Sequence, residues 1–452
     1  MKTVFVSILS GIEAKSILRT NVVARILERE GTRVVLLVKT AERAEFYKKE
    51  FHHGHLVYEV IGPEGFSRFD PFMEWLKHYL VNTKSQKLYR RLAFLENKNI
   101  FAYVSSSVFS GIVSNRFFRS LSRWFDRFVV RDHNFDGLLE KYNPDAIFLA
   151  NLFDPREISL LRGARIRKIK TIGFINSWDK ITAKGFVRLL PDTLIVPNDI
   201  VKDEALRYVN ISALRIVVSG PPQYDTYFNR EGIESRESFL KKIHADSSKK
   251  LIVFAPMGLA FSNSDWQAID YLHEVIEGHF KNDAELLVRF QPNDFFGDEG
   301  FKTRPWLRFD LPGTRFTTTR GVDWDMTTDD LIHLKNTLHH MHMLISYASS
   351  IAIDAAIFDK PVINIGFELR DDQSPLKTPT LRYTTAHYSK ALDTGGIFLA
   401  TTKEHLIEKI RTYLSDPATD AGGRSRLVQE QCSFTDGKAG ARIAESILSC
   451  LQ

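Results

Sequence analysis

The chain has 452 residues, 44% of them hydrophobic and 26% charged, with 25 glycines and 16 prolines. That length exceeds one ordinary core, and the composition excludes collagen-like, low-complexity and disordered chains, so two or three packed domains are expected. Sixty-one basic against 55 acidic residues leave a formal charge of +6, concentrated between Phe66 and Phe135, where twelve basic residues face five acidic ones; an excess this local excludes nucleic-acid affinity spread over the whole surface.

Short β-branched runs alternating with amphipathic helical patterns predict parallel sheets built from βαβ units. In the first half, strands are predicted over 3–9, 33–38, 56–61, 146–150, 171–175 and 193–196. A helix over 16–29 follows the first strand, its face Ile17, Val22, Ile26 and Leu27 repeating at threes and fours, with Gly31 as C-cap. The opening apolar run is too short for a signal peptide and meets Glu13 soon after, so it reads as a buried strand. Segment 71–134 carries few strand signals and predicts long helices. Within it Arg116, Arg119, Arg123 and Arg127 are spaced by three and four beside an apolar stripe of Phe117, Leu121, Trp124, Phe125 and Phe128. Such a helix would lie on an anionic membrane surface through Arg116, Arg119, Trp124 and Arg127, or else pack as a core helix flanked by arginine stems.

The second half repeats the plan, with strands over 215–219, 251–255, 285–290, 343–346, 361–365 and 396–399, and helices over 266–277 and 403–413 among others. The domains read as an N-terminal Rossmann-like acceptor domain over 1–205, a C-terminal Rossmann-like donor domain over 206–430, and a closing helix over 431–452 that packs back across the halves. Two such sheets would face each other across a ligand-binding cleft. Cys432 and Cys450 form no metal or disulfide pattern, and no apolar run approaches the roughly 18 residues of a membrane span, so a cytoplasmic protein is expected, peripheral at most.

The strongest site signal is the block 344–368, in which a strand ends at Ser346, Ser349 and Ser350 and a helix begins at once. Amides exposed at that start suit an anion, though serines before a helix are also plain N-caps. Asp354, one turn on, is placed for a ribose hydroxyl or for solvent. This S-Y-A-S-S…D…F-D-K-P-V-I block resembles the donor-diphosphate element of GT-B transferases, especially surface-polysaccharide glycosyltransferases related to the CDP-glycerol glycerophosphotransferase-like family. The likeness extends to R-I-V-V-S-G-P-P-Q-Y-D over 215–225 and to F-T-D-G-K-A-G-A-R-I over 434–443. It implies an α/β GT-B fold, a nucleotide-activated sugar as donor substrate with no cofactor and no metal, and donor contacts at Gly220, Arg289, Gln291, Ser346, Ser349, Ser350 and Asp354. Two departures stand out. The chain has I-N-S-W-D-K-I-T-A-K-G where the glycerophosphotransferases tend to carry W-H-G-T-P, and R-F-Q-P where many relatives read R-x-H-P.

The loop after strand 171–175 offers its own chemistry. Trp178 is a platform for a sugar ring, Ser177 and Lys184 can meet an acceptor, and Asp179 can serve as general base or cap the next helix. Gly11, after the first strand, is a further acceptor position. Arg289 would offset charge on the departing diphosphate, or form an ion pair. The histidines at 52, 53 and 55 and at 339, 340 and 342 read as solvated, and Asp323-Trp324-Asp325 as a turn. No dinucleotide or P-loop fingerprint occurs. The resulting expectation is a metal-independent glycosyltransferase acting on a hydroxyl of a surface glycan or lipid-linked acceptor, with no nucleic-acid partner. The rivals are a CDP-polyol phosphotransferase, a UDP-sugar 2-epimerase-like isomerase, and a non-catalytic membrane-docked scaffold.

Overall fold

The computed structural model describes residues 1–62, 67–294, 298–317, 323–370 and 374–451; Phe66, the start of the basic segment, lies outside them. The chain divides into two units, the first comprising Met1–Phe94, Lys98–Thr226 and Glu430–Gln452, the second Leu95–Asn97 and Tyr227–Gln429.

Seven parallel strands form the sheet of the first unit: β1 (Lys2–Ile8), β2 (Thr32–Val38), β3 (Leu56–Val60), β4 (Ala146–Leu149), β5 (Lys170–Phe174), β6 (Thr193–Val196) and β7 (Ile216–Val218). Their order is β3-β2-β1-β4-β5-β6-β7. Helices cover both faces of a parallel sheet, so its strands are apolar on both sides. In β1, Phe5 enters one core cluster while Val4, Val6 and Ile8 enter another. The chain winds outward from β1 to β3, then returns and winds the other way from β4, which leaves a topological switch point between the carboxyl ends of β1 and β4.

The second unit holds β8 (Lys250–Ala255), β9 (Ala284–Arg289), β10 (Phe309–Asp310), a two-stranded ladder of β11 (Thr314–Arg315) and β12 (Trp324–Asp325), then β13 (Met343–Ser346), β14 (Val362–Ile365) and β15 (Phe398–Ala400). Its six-stranded parallel sheet has the order β10-β9-β8-β13-β14-β15, with the switch point between β8 and β13.

Three expectations differ, and a fourth is refined. The strand predicted to open the second half is β7, paired Leu194↔Ile216 to Val196↔Val218 at the edge of the first sheet; a short apolar run does not reveal which sheet it joins. The closing helix Ala439–Leu448, expected to pack back, lies in the first unit, where Ile443, Ala444 and Ile447 pack with Val22, Val23 and Ile26. The helix expected over 16–29 is broken at Thr20, whose hydroxyl bonds back to the carbonyls of Ser16 and Ile17. Asp323-Trp324-Asp325 is part of the antiparallel ladder rather than a turn.

The insertion is helical as expected, in Asp70–Leu76, Lys84–Asn97, Ile100–Val113 and Arg116–Val129. The last of these turns its stripe over. Arg119, only 6% exposed, donates to the carbonyls of Leu80, Arg207 and Ser114. Arg123 donates to the Val187 carbonyl and lies 4.2 Å from the Phe186 ring centroid. A guanidinium carries five donors in a fixed fork, so it can satisfy several loop carbonyls at once, and burial is the result. The rings face outward instead: Phe117 is 68% exposed, Trp124 58% and Phe128 52%. Beneath them Arg188, its side chain 1% exposed, is held by Asp126 and Asp70 at 2.7 Å each and by Glu74 at 3.0 Å. Asp126 also binds Arg162 at 2.7 Å, so part of the insertion's charge is neutralised internally. Among the described residues, no helix is long and apolar enough to cross a membrane.

Candidate functional site

At the switch point of the first unit, β1 ends in a tight loop closed by Glu13. Its Oε2 accepts the amides of Leu9 at 2.7 Å and Ser10 at 2.6 Å, and its Oε1 accepts the Asn151 side-chain amide at 3.0 Å. Asn151, just past β4, also gives its backbone N–H to Glu157 at 2.8 Å and receives Lys180 Nζ on Oδ1 at 3.3 Å. Glu157 takes the Ser7 hydroxyl at 2.7 Å. Burial first, and then the charge of Asp154, holds the Glu13 carboxyl above the usual carboxylate range; burial and then the charge of Glu13 push Glu157 well above it. Burial lowers the Lys180 ammonium. Two acids and an amine on one asparagine can store and pass a proton. Asn176, at the carboxyl end of β5, is 5% exposed, and among the described residues neither polar atom of its side-chain amide has a hydrogen-bond partner. Leaving such a group dry and unpaired costs roughly 1–3 kcal/mol, so the site suits a polar ligand or water.

The predicted acceptor residues share this edge of the sheet. Gly11 opens the short helix Gly11–Glu13 and is buried. Ser177 donates to Asp179 Oδ1 at 2.5 Å. Asp179 occupies the N-cap position of helix Lys180–Ala183, yet its carboxylate makes no capping bond. Trp178 is half-buried and Lys184 exposed. Sequence reading placed Asn176 here with Ser177, Trp178 and Asp179, but missed Asn151, Glu157 and Lys180, because no spacing links 151 or 157 to 13 until β1 and β4 pair.

In the second unit, the loop after β8 turns at Gly258, whose φ is +87°; a Cβ there would fall 2.4 Å from Asp294 Oδ2. Gln291 donates to the Met257 carbonyl at 2.8 Å, strapping the ends of β9 and β8 together. Asp265 Oδ2 accepts the Gly258 amide at 2.7 Å, and burial pushes its carboxyl up to about 6. Beyond β13, the hydroxyls of Ser349 and Ser350 stand at the start of helix Ile351–Ile357, and Ser350 makes no side-chain cap.

Three residues expected at the donor have structural partners. Ser346 is fully buried and its hydroxyl accepts from Asn364 at 3.0 Å, inside a network closed by Tyr388. Asp354 is 4% exposed, away from solvent, and accepts the Tyr227 hydroxyl at 2.8 Å. Gly220 belongs to the first unit, with a φ of +87° and a would-be Cβ 3.0 Å from that of Ala439. Arg289 is 5% exposed and ion-paired to Asp310 at 3.0 Å, which His333 also meets at 3.0 Å. The Gly-Pro-Pro and Asp-Gly-Lys-Ala segments are one structural clamp: Asp225 accepts the amides of Ala439 at 2.9 Å and Gly440 at 2.8 Å, capping the closing helix. Among the described residues, no group of three or more His, Cys, Asp or Glu could hold a metal ion.

No family model and no curated protein matches the sequence. Solved structures do. A putative UDP-N-acetylglucosamine 2-epimerase from Listeria monocytogenes aligns at 13% identity over 100% of this chain and 97% of its own, with a TM-score of 0.56. The UDP-GlcNAc 2-epimerase from Neisseria meningitidis, solved bound to UDP-GlcNAc, aligns at 12% identity over 99% of this chain and 100% of its own, with a TM-score of 0.56. A variant of the wall teichoic acid polymerase TagF aligns at 13% identity over 99% of this chain and 88% of its own, with a TM-score of 0.50. The fold is of the GT-B type. Each GT-B unit thus presents, at its own switch point, the place where open α/β sheets take ligands.

Proposed function

We propose that this chain is a metal-independent, nucleotide-sugar-dependent glycosyltransferase whose second unit holds the donor and whose first unit meets a hydroxyl of a lipid-linked or surface-glycan acceptor. The observation that carries the reading is the outward face of helices Ile100–Val113 and Arg116–Val129. Phe101 is 81% exposed and Ile112 58%, alongside Phe117 and Trp124, and Ile100–Val113 contains no charged residue. Exposed Arg91, Lys98, Arg116 and Arg127 flank it. Apolar rings rimmed by cations complement an anionic lipid surface, such as the inner leaflet of a cytoplasmic membrane, where a lipid-linked acceptor is presented. An isomerase of free nucleotide sugars has no use for such a face. Arg119, committed to loop carbonyls, takes no part in it.

In this reading Ser349 and Ser350 receive the diphosphate oxygens, and Arg289 adds positive charge that Asp310 moderates. Asp179, already hydrogen-bonded to Ser177, takes the acceptor proton if the anomeric centre inverts. Asn176 offers its unpaired amide to an acceptor hydroxyl. The neighbours solved with UDP or UDP-GlcNAc support a nucleotide-sugar donor. The deciding assay incubates the full chain with nucleotide sugars, with and without polyprenyl-phosphate-linked acceptors in anionic vesicles, and follows nucleoside diphosphate release. Acceptor-dependent release supports the transferase.

A second reading, an epimerase, is favoured by the Glu13–Asn151–Glu157–Lys180 cluster, which can remove and return a proton within one unit, and by the epimerases among the fold neighbours. Conversion of a nucleotide sugar to its epimer with solvent deuterium uptake, and no need of an acceptor, would establish it and overturn the transferase.

A further inference from the structure

A cavity of about 650 Å³ opens in the first unit on the side opposite the candidate site, where β5 begins at Lys170 and Asp192 precedes β6. Six basic side chains line it against two carboxylates. Both carboxylates are already engaged: Asp132 by Arg162 and Ser159, Asp192 by the Thr171 amide and hydroxyl. Arg162 is likewise used by Asp126 and Asp132. The other cations are not. Among the described residues, the side chains of Arg127, Arg131, Arg165, Lys168 and Lys170 have no hydrogen bond or ion pair with a protein group; Arg127 lies over the ring of Phe128, 5.4 Å from its centroid.

Cations at helix C-termini are favourable in themselves, and Arg165 and Arg127 stand in the last turns of Pro155–Ile166 and Arg116–Val129. One cation per terminus answers that need; five around one cavity repel each other. Burial, then the charge of Arg127, hold the Arg165 guanidinium below its ordinary value, the nearby Asp192 carboxylate offsetting part of the shift and Arg215 adding to it. Such crowding is relieved by an anion, and guanidinium forks match phosphate oxygens in pairs. The lining is also half apolar, with Phe128 52% and Ile166 66% exposed.

We propose that this cavity is a binding site for a phosphate-bearing ligand with an apolar part, its phosphate held by Arg127, Arg165 and Lys168 and its apolar part lying on Phe128 and Ile166. Two sources share that chemistry, a lipid headgroup at the membrane surface and a free phosphate compound. The site is separate from the donor and acceptor residues, so nucleotide-sugar binding is expected to be unchanged in every variant below.

The test uses the full chain, the double variant Arg165→Gln/Lys168→Gln, and Lys49→Gln as a control: an exposed cation on helix Ala41–Glu50, outside both the cavity and the rim of the apolar face. Inorganic pyrophosphate is titrated calorimetrically, and flotation is measured with phosphatidylglycerol and with phosphatidylcholine vesicles. A lipid source predicts that binding to phosphatidylglycerol falls at least tenfold in the double variant and little in Lys49→Gln. A free-phosphate source predicts pyrophosphate binding that the double variant loses, with flotation unaltered. If pyrophosphate does not bind and the double variant floats as the native chain does, the proposal is overturned. It fails equally if Lys49→Gln loses as much as the double variant, since the effect would then be diffuse surface charge. Because the apolar face of helices Ile100–Val113 and Arg116–Val129 is untouched, failure here leaves the proposed activity standing.

Discussion

Replacing Asp265 by asparagine should stabilise the second unit near neutral pH and leave it little changed in acid. The side chain is 2% exposed, and its carboxyl is pushed from the ordinary 3.8 to about 6 by burial. The folded unit therefore holds this proton more tightly than the unfolded chain does. That preference contributes stability fully below the unfolded value, and the contribution is lost as pH rises to the folded value. At about 1.4 kcal/mol per pH unit, the ionised group costs roughly 3 kcal/mol above pH ~6, and roughly 1 kcal/mol at pH ~4.5. Asparagine keeps an oxygen for the Gly258 amide and carries no charge. The advantage of Asp265→Asn over the native chain should thus grow by about 2 kcal/mol between pH ~4.5 and ~7.5. Hydrogen exchange of the β8 and β9 peptides in increasing denaturant reads this unit directly. Comparing two pH values removes any constant packing cost. An advantage that is flat, or that shrinks toward neutral pH, refutes the assignment of a buried, proton-retaining carboxyl.

Arg188→Met leaves Asp70, Glu74 and Asp126 facing one another without their common cation; a loss of about 3–5 kcal/mol in the first unit is expected by denaturant unfolding. Asp179→Asn should spare donor binding in a thermal-shift titration and lower turnover about 10²-fold or more, as removal of a general base does. Unaltered turnover would show that Asp179 takes no proton. Phe117→Ser/Trp124→Ser should weaken flotation with phosphatidylglycerol vesicles at least tenfold without lowering the melting temperature, because both rings lie on the exposed face.

Strand positions were legible because parallel strands are short and apolar on both faces: 193–196 and 343–346 are met to the residue by β6 and β13. Membership was not, since β7 carries the same kind of run whichever sheet it joins. The candidate site was legible where one loop supplies it, as in Ser177, Trp178 and Asp179. It failed where function and structure compete for the same residue types. Ser346 and Asp354 look like donor contacts in sequence, but a hydroxyl and a carboxylate also serve Asn364 and Tyr227 in the interior. The arginine spacing in 116–127 located a helix correctly and mis-set its face, because loop carbonyls at Leu80, Val187 and Arg207 lie far off in the chain.

The clamp between Asp225 and the helix Ala439–Leu448 has a bearing on how this molecule is made. A ribosome delivers the whole second sheet before it releases the helix on which Val22, Val23 and Ile26 close their layer. The amino-terminal lobe must wait, with an apolar flank open, while some two hundred later residues emerge and fold. Expressing 1–226 alone should accordingly yield an aggregating or chaperone-bound product, and supplying 430–452, fused or as a peptide, should rescue it.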